Sequence, residues 1–166
     1  MILRDYRPED FARLCEIDRL CFPQGIAYTT EEMRLYLADR RAFTIVAEGP
    51  QSEIVGFLIA RLEIGRLPLE RAKVRIGHLV TIDVHPDWQR RGIGSLLLQE
   101  AERRLHRAGA RAVLLETAVD NIPAIRFYAK HGYVVLERIR GYYLGEKDAL
   151  RMGKRLEDTN EGQRAF

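Results

Sequence analysis

Apolar residues change their spacing several times along this chain, and each change marks a boundary between strand and helix. Ile2 to Arg4 reads as a short strand. Pro8 and Asp10 then introduce a segment in which Phe11, Leu14, Ile17 and Cys21 recur at helical spacing. The pattern breaks over Cys21-Phe22-Pro23-Gln24-Gly25-Ile26-Ala27-Tyr28. Thr29 and Glu32 then form a capping box for a second short helix running through Leu35 and Leu37. Ala42 to Glu48 and Ile54 to Glu63 are β-rich runs joined by the turn residues Gly49-Pro50-Gln51-Ser52, which predicts an antiparallel hairpin. After a loop from Gly65 to Arg71, Val74 to Val84 reads as a long strand with His78, Val80, Ile82 and Val84 on one face.

The second half alternates in the same way. From Gly92 to Ala108, Ile93, Leu97, Ala101 and Leu105 form one apolar line, while Gln99, Arg103, Arg104 and Arg107 face elsewhere; Gly109 ends the helix. Ala112 to Thr117 is a further strand. Asp120 or Asn121 caps a helix with Pro123 in its first turn and Ile125, Phe127 and Tyr128 beyond, stopped by Gly132. Tyr133 to Arg140 and Asp148 to Arg155 close the chain as strands separated by Gly141 to Glu146, before a polar, loose tail from Glu157 to Phe166. The chain is therefore of the α/β (α+β) class, with about seven strands and about four helices and no internal repeat.

At 166 residues, 46% hydrophobic and 31% charged, the chain suits one domain, read as residues 1–156 followed by the tail 157–166. The 27 Lys and Arg against 24 Asp and Glu leave a charge of only +3, and the basic residues form no dense stripe, so nucleic acid is not an expected partner. Cys15 and Cys21 match no zinc or redox spacing, no metal site is expected, and a reducing compartment suits them. Neither a signal core nor eighteen consecutive apolar residues occurs; the expectation is a cytoplasmic protein without a membrane partner. The oligomeric state is not legible.

Chemistry concentrates where the long strand ends. Gln89-Arg90-Arg91-Gly92-Ile93-Gly94 joins it to the leucine-rich helix, and two glycines let several N–H groups at the helix start converge on one anion, aided by the helix dipole. A dinucleotide fingerprint fits poorly: Pro86 to Arg91 separate strand from glycine and Leu97 stands at the third glycine position, although Glu116 mimics the ribose-binding acid. A P-loop is excluded, since no Gly-Lys-Ser/Thr follows. An ordinary glycine turn flanked by solvated arginines remains the alternative. His78, alone at a strand's beginning, is expected to be a hydrogen-bonded structural residue.

That turn, with Leu115-Glu116-Thr117, Asn121-Ile122-Pro123-Ala124-Ile125, Phe127-Tyr128-Ala129-Lys130-His131-Gly132-Tyr133, Arg140-Gly141-Tyr142-Tyr143 and Glu146-Lys147-Asp148-Ala149, resembles the GNAT N-acetyltransferase superfamily. Within it the residues are most similar to the branch of RimI-type ribosomal-protein alanine and archaeal N-terminal acetyltransferases. The resemblance covers roughly His78 to Met152 and implies a mixed, mostly antiparallel sheet with a splayed central pair. It implies acetyl-CoA as co-substrate. The pyrophosphate would lie on Arg91 to Ser95, with Gln89, Arg90, Gly92, Ile93 and Gly94 in the same cradle, and the pantetheine arm along the backbone of Ile82, Asp83 and Val84 near Asn121.

The resemblance further implies Glu116 as general base and Tyr128 as general acid. The chemistry is compatible: a carboxylate with its pKa raised by partial burial could take a proton from an α-amine of pKa ~8, and a tyrosine of pKa ~10 suits a departing thiolate. Pairing of Glu116 with an arginine and packing of Tyr128 into the core are the structural alternatives. Tyr142 and Tyr143 correspond to a pair that holds a peptide N-terminus, opposite a wall made by Phe22 to Tyr28; packing of that loop onto the core is the other reading. The expected function is acetyl transfer from acetyl-CoA to a primary amine, foremost a protein or peptide N-terminus. A lysine or small-amine acceptor, or a noncatalytic acyl-CoA-binding regulator, stands as the alternative. The chain departs from the family at Thr117-Ala118-Val119-Asp120, at Gln24 and at Asp83, where a small residue is commoner.

Overall fold

The computed structural model describes residues 1–68 and 71–156. Its elements follow in the order β1 (Ile2–Asp5), α1 (Phe11–Cys21), α2 (Thr30–Ala38), β2 (Ala42–Glu48), β3 (Ile54–Gly65), β4 (Val74–Val84), α3 (Ile93–Arg107), β5 (Ala112–Ala118), α4 (Ile122–Lys130), β6 (Val134–Tyr143) and β7 (Lys147–Arg155). The strands form one mixed sheet in the order β1-β2-β3-β4-β5-β7-β6. The pairs β1–β2, β2–β3, β5–β7 and β6–β7 are antiparallel, and β4–β5 is parallel. This is the mixed α/β architecture the hydrophobic pattern predicts. The expected tail from Glu157 lies outside the described residues.

The boundaries have local causes. Thr29 Oγ1 accepts from the Glu32 N–H at 3.2 Å while the Glu32 carboxylate accepts from the Thr29 N–H at 2.8 Å, so two of the orphan donors at the start of α2 are satisfied reciprocally. Asn121, rather than Asp120, caps α4, its side-chain oxygen accepting from the Ala124 N–H at 3.3 Å, with Pro123 in the first turn. Two strands run two residues longer than predicted. β3 reaches Gly65, and β6 continues through Gly141 to Tyr143 before the turn, because Tyr143 regains a cross-strand partner in Lys147.

By contact density the chain forms two compact units, Met1–Arg61 with Val80–Arg104, and Leu62–Leu79 with the residues from Leu105 onward. In the first, α1 and α2 press Leu14, Cys15, Ile17 and Met33 onto Val46, Phe57 and Ile59 of the sheet. Ile93, Leu97 and Ala101, on the predicted line of α3, are also buried. In the second, Leu67, Ile76 and Ala112 form a smaller cluster with Val74 and Leu114. There β5 is paired with β7 along its whole length. Among the described residues its register with β4 consists of Gly77 opposite Val113 and His78 opposite Leu114, a short ladder of the kind a splayed central pair gives.

From His78 onward β4 alternates with period two, as expected: His78, Val80, Ile82 and Val84 share one face and are half-buried, while Leu79, Thr81 and Asp83 on the other are buried. The more buried face thus carries a threonine and a carboxylate beside Leu79. The Thr81 hydroxyl donates to Asp83 Oδ1 at 2.6 Å, so one polar group answers part of the other's need.

Gly56 of β3 fits tightly here. A Cβ at this position would lie 2.7 Å from the Asp83 carbonyl oxygen, a backbone atom that cannot step aside as a side chain can. Gly56→Ala should therefore destabilise the protein by about 1–3 kcal/mol, read as a lower denaturant midpoint at unchanged m-value. A midpoint equal to wild type would show that β3 and β4 can part at no cost.

Candidate active site

In the first unit the glycine turn is built by backbone strain and one stacked cation. β4 ends at Val84, and a short helical turn at Pro86–Trp88 leads into Gln89. Arg90 has φ +63° and Gly92 φ +82°, so the chain twice enters the left-handed region before α3 begins at Ile93. Nothing lies within 4 Å of the position a Gly92 Cβ would take. The turn is an open cradle of backbone at a helix N-terminus, which suits an anion. The Arg91 guanidinium lies over the Trp88 ring, 4.9 Å from its centroid, and the Gln89 amide donates to the Val84 carbonyl at 2.9 Å.

The Phe22–Tyr28 segment belongs to the same unit. Tyr28 stacks against Tyr36 at 4.9 Å, packs on the core, and its hydroxyl donates to the Val80 carbonyl at 3.1 Å. Core packing, the bland expectation for this loop, holds for Tyr28. Its hydroxyl also fixes it to the strand that carries Ile82, Asp83 and Val84.

In the second unit Glu116 of β5 lies between an imidazole and a guanidinium. Its Oε2 is 2.6 Å from His78 Nε2, and its Oε1 accepts from Arg151 Nε at 3.0 Å. Arg151 also reaches Glu137, and Glu63 Oε1 lies 3.6 Å from the other ring nitrogen of His78. Burial pushes the Glu116 carboxyl up, but the hydrogen bonds and charges of His78 and Arg151 outweigh it and hold the group below the usual glutamate value. The expectation of a raised pKa is thereby corrected. Partial burial is present, and the compensating partners decide the sign. His78 is hydrogen-bonded, as expected, and its partner is Glu116: the parallel pairing of β4 and β5 sets His78 opposite Leu114 and brings its ring onto that carboxylate.

Tyr142 and Tyr143 stack edge-to-face at 4.9 Å at the end of β6. Tyr142 is exposed, whereas Tyr143 is half-buried and its hydroxyl is pushed up in pKa by burial, by Tyr142 and by the charge of Glu116. Tyr128 is buried on α4 between Phe127 and Tyr133, with ring centroids 5.2 and 5.6 Å away. Asn121 spends its side-chain oxygen on the helix cap. Glu116 thus meets His78 and Arg151, and the charges of Glu116 and Arg151 act on Tyr143 and Tyr142 respectively; Arg151 is a residue that sequence spacing did not single out. For the Glu116–His78 contact the missed signal was the strand alternation of Leu114 and Glu116 set against His78.

Residues 11–133 match the model of the acetyltransferase (GNAT) family. The chain belongs to that family. An N-alpha-acetyltransferase of Sulfurisphaera tokodaii is 35% identical over 159 residues, covering 93% of this chain and 92% of the relative. The catalytic subunit of the Arabidopsis thaliana N-terminal acetyltransferase B complex is 31% identical over 124 residues, 73% of this chain and 67% of that one. Among solved structures, Chaetomium thermophilum NAA20 in complex with a bisubstrate analogue superposes with a TM-score of 0.77 at 26% identity, covering 94% of this chain and 87% of that one. As a GNAT acetyltransferase the chain has the fold expected of it. Among the described residues no helix is long and apolar enough to cross a membrane, and no group of three or more metal-ligating side chains occurs.

Because the folded pKa of Glu116 lies below its unfolded value of ~4.3, its partners add stability above that pH, and this is lost as pH falls through the folded value. Arg151→Met should move the Glu116 titration upward and shrink the acid-induced loss of stability between about pH 5 and pH 3. Carboxyl carbon chemical shifts against pH read the first effect directly, and an unmoved Glu116 midpoint would remove Arg151 from the account.

Proposed function

We propose that residues 1–156 act as one N-acetyltransferase domain that transfers the acetyl group of acetyl-CoA to the α-amine of a protein or peptide N-terminus. The observation that carries this reading is the Glu116–His78 contact in a GNAT chain whose relatives are N-alpha-acetyltransferases. The Gly92 turn supports the donor half: Arg91 to Ser95 offer backbone N–H groups to the pyrophosphate, with Gln89 and Arg90 beside them. The backbone of Ile82 to Val84 takes the pantetheine arm, and Asn121 is likewise assigned to the cofactor. Acceptor recognition is assigned to Tyr142 and Tyr143, and to Phe22 and Tyr28.

The chemistry is direct attack of the neutral amine on the thioester carbonyl, and the attacking nitrogen must lose a proton as the carbon–nitrogen bond forms. A carboxylate held below its usual pKa is a weak base alone. Glu116, being ionised, can only accept hydrogen bonds, so its partner nitrogen His78 Nε2 carries the hydrogen. His78 thereby orients the carboxylate, and the attacking nitrogen becomes strongly acidic as the carbon–nitrogen bond forms, so a weak base suffices to take its proton. The amine proton passes to Glu116, through water where contact is indirect, and Tyr128 gives a proton to the departing CoA thiolate.

The deciding experiment offers acetyl-CoA with a random-N-terminus peptide library, internal-lysine peptides and polyamines, read by mass spectrometry. Acetylation confined to α-amines supports the reading. Label only on lysine side chains or polyamines transfers the function to another acceptor class, and acetyl-CoA binding without release of CoA to any amine makes the protein a regulator. Separate substitutions apportion the roles. Glu116→Gln and His78→Gln should each lower kcat by about 10²-fold, and Tyr128→Phe should weaken turnover most at pH below ~10, where the tyrosine still holds its proton. Wild-type turnover across pH in both Glu116→Gln and Tyr128→Phe would sink the assignment. Gly92→Val, strained at φ +82° and filling the open cradle, should weaken acetyl-CoA binding at least about tenfold in calorimetry while peptide binding stays unchanged.

A further inference from the structure

The first unit holds a second pair of carboxyl groups that the proposed chemistry does not use. Asp18, in the penultimate turn of α1, and Asp83, near the end of β4, are fully out of solvent at 0% and 1% exposure. Each has one satisfied oxygen. Asp18 Oδ2 accepts from the Tyr28 backbone N–H at 2.7 Å, and Asp83 Oδ1 accepts from the Thr81 hydroxyl at 2.6 Å. Each also has one oxygen, Asp18 Oδ1 and Asp83 Oδ2, that is buried and lacks a donor. The two side chains lie within hydrogen-bonding reach of each other.

Two buried acceptors facing each other without a hydrogen are an arrangement that folding does not tolerate, whereas a single proton between them satisfies both. We propose that Asp18 and Asp83 share one proton and act together as positioning residues, fastening the Phe22–Tyr28 segment to β4. The segment is tied at three points in this unit. Asp18 holds the Tyr28 N–H, the Tyr28 hydroxyl holds the Val80 carbonyl, and the Cys21 thiol donates to the Val84 carbonyl at 3.2 Å. The first of these ties depends on the orientation of Asp18, and the shared proton fixes that orientation. If the segment is the acceptor wall, as the proposed function has it, the pair sets the position of that wall against the strand assigned to the thioester.

The surroundings contain little to neutralise a second charge. Arg19 adjoins Asp18 on α1 and favours ionisation, while Glu32 of α2 opposes it. Cys21 carries a thiol that burial and the nearby aspartates push up to about 12, so it stays neutral, and Cys15 of α1 is likewise raised. On β3, Gly56 closes on the Asp83 backbone and brings no charge. Burial raises both carboxyls, Asp18 to about 6 and Asp83 well above the usual aspartate value. The pair titrates as a unit, with its second proton leaving late. A group raised on folding contributes fully below its unfolded pKa and loses that contribution as pH rises through the folded one. Alkaline pH should therefore loosen the Phe22–Tyr28 segment.

An asparagine at either position replaces the shared proton with a permanent N–H donor and keeps the single negative charge. Hydrogen exchange of the segment 22–28 and thermal unfolding, followed from pH 6 to 9.5 in the full chain, test this. In wild type, protection corrected for intrinsic exchange should fall by up to roughly tenfold per pH unit above the second ionisation, with Tm falling in parallel. Asp18→Asn and Asp83→Asn should each hold both quantities level, and at pH 9 Asp18→Asn should show a lower acceptor KM than wild type with kcat little changed. A flat wild-type profile, or Asn variants that follow the wild-type slope, would overturn the proposal. So would two unfolded variants, since an amide on either side should satisfy both orphaned oxygens. Exchange and unfolding need no acetylation, so they decide the matter even if no acceptor amine is found.

Discussion

A carboxylate removed from water must be neutralised by a proton, a cation or a set of donors, and this protein meets that constraint in two opposite ways along one strand. At His78, β4 supplies a partner that keeps Glu116 ionised and below its usual pKa. At Asp83, five residues on, it supplies a second carboxylate that keeps a proton in place. Burial pushes all three carboxyls up; at Glu116 the hydrogen bonds and charges of His78 and Arg151 reverse it, whereas at Asp18 and Asp83 burial prevails over the hydrogen bonds from the Tyr28 N–H and the Thr81 hydroxyl. Glu116 draws on Arg151 as well, which makes its surroundings net favourable to charge. For the aspartate pair Arg19 is the cation that favours ionisation, opposed by Glu32.

In the proposed chemistry this division bears on Glu116. A glutamate raised by burial would be the stronger base, whereas one lowered by its partners is well oriented and relies on the acidity that the attacking nitrogen gains as the new bond forms. Those partners come from different strands, His78 from β4 and Arg151 from β7. The donor turn follows a similar logic on the backbone: the left-handed conformations of Arg90 and Gly92 are strained or glycine-dependent, and they turn the N–H groups at the start of α3 toward open space.

Much of the fold was legible because the apolar period is strong. Ile93, Leu97, Ala101 and Leu105 on α3, and the reciprocal cap at Thr29 and Glu32, follow from spacing and local hydrogen bonding alone. The end of β6 was not, because Gly141 reads as a turn residue and its strand partner is supplied by tertiary pairing at Tyr143 and Lys147. Of the site, the turn and Glu116 were visible as motif residues. His78 and Arg151 were not, since their relevance comes from the β4–β5 and β5–β7 registers, and a single sequence does not give registers. The same gap explains the wrong sign for Glu116: partial burial can be guessed from a half-apolar strand, but the compensating charges are set by cross-strand neighbours.

Register also ties the two carboxylate solutions together. His78 and Asp83 stand at opposite parity on β4, so their side chains leave opposite faces of the strand. A slip of one residue would turn Asp83 away from Asp18 and His78 away from Glu116 in a single step, besides exposing Leu79. Gly56 helps to prevent that slip: the Asp83 carbonyl closes on it so tightly that only a residue without Cβ fits. The close approach at Gly56 thus constrains β4 against β3, and the pairing of His78 opposite Leu114 constrains it against β5, while Thr81 and Asp83 bond within the strand itself.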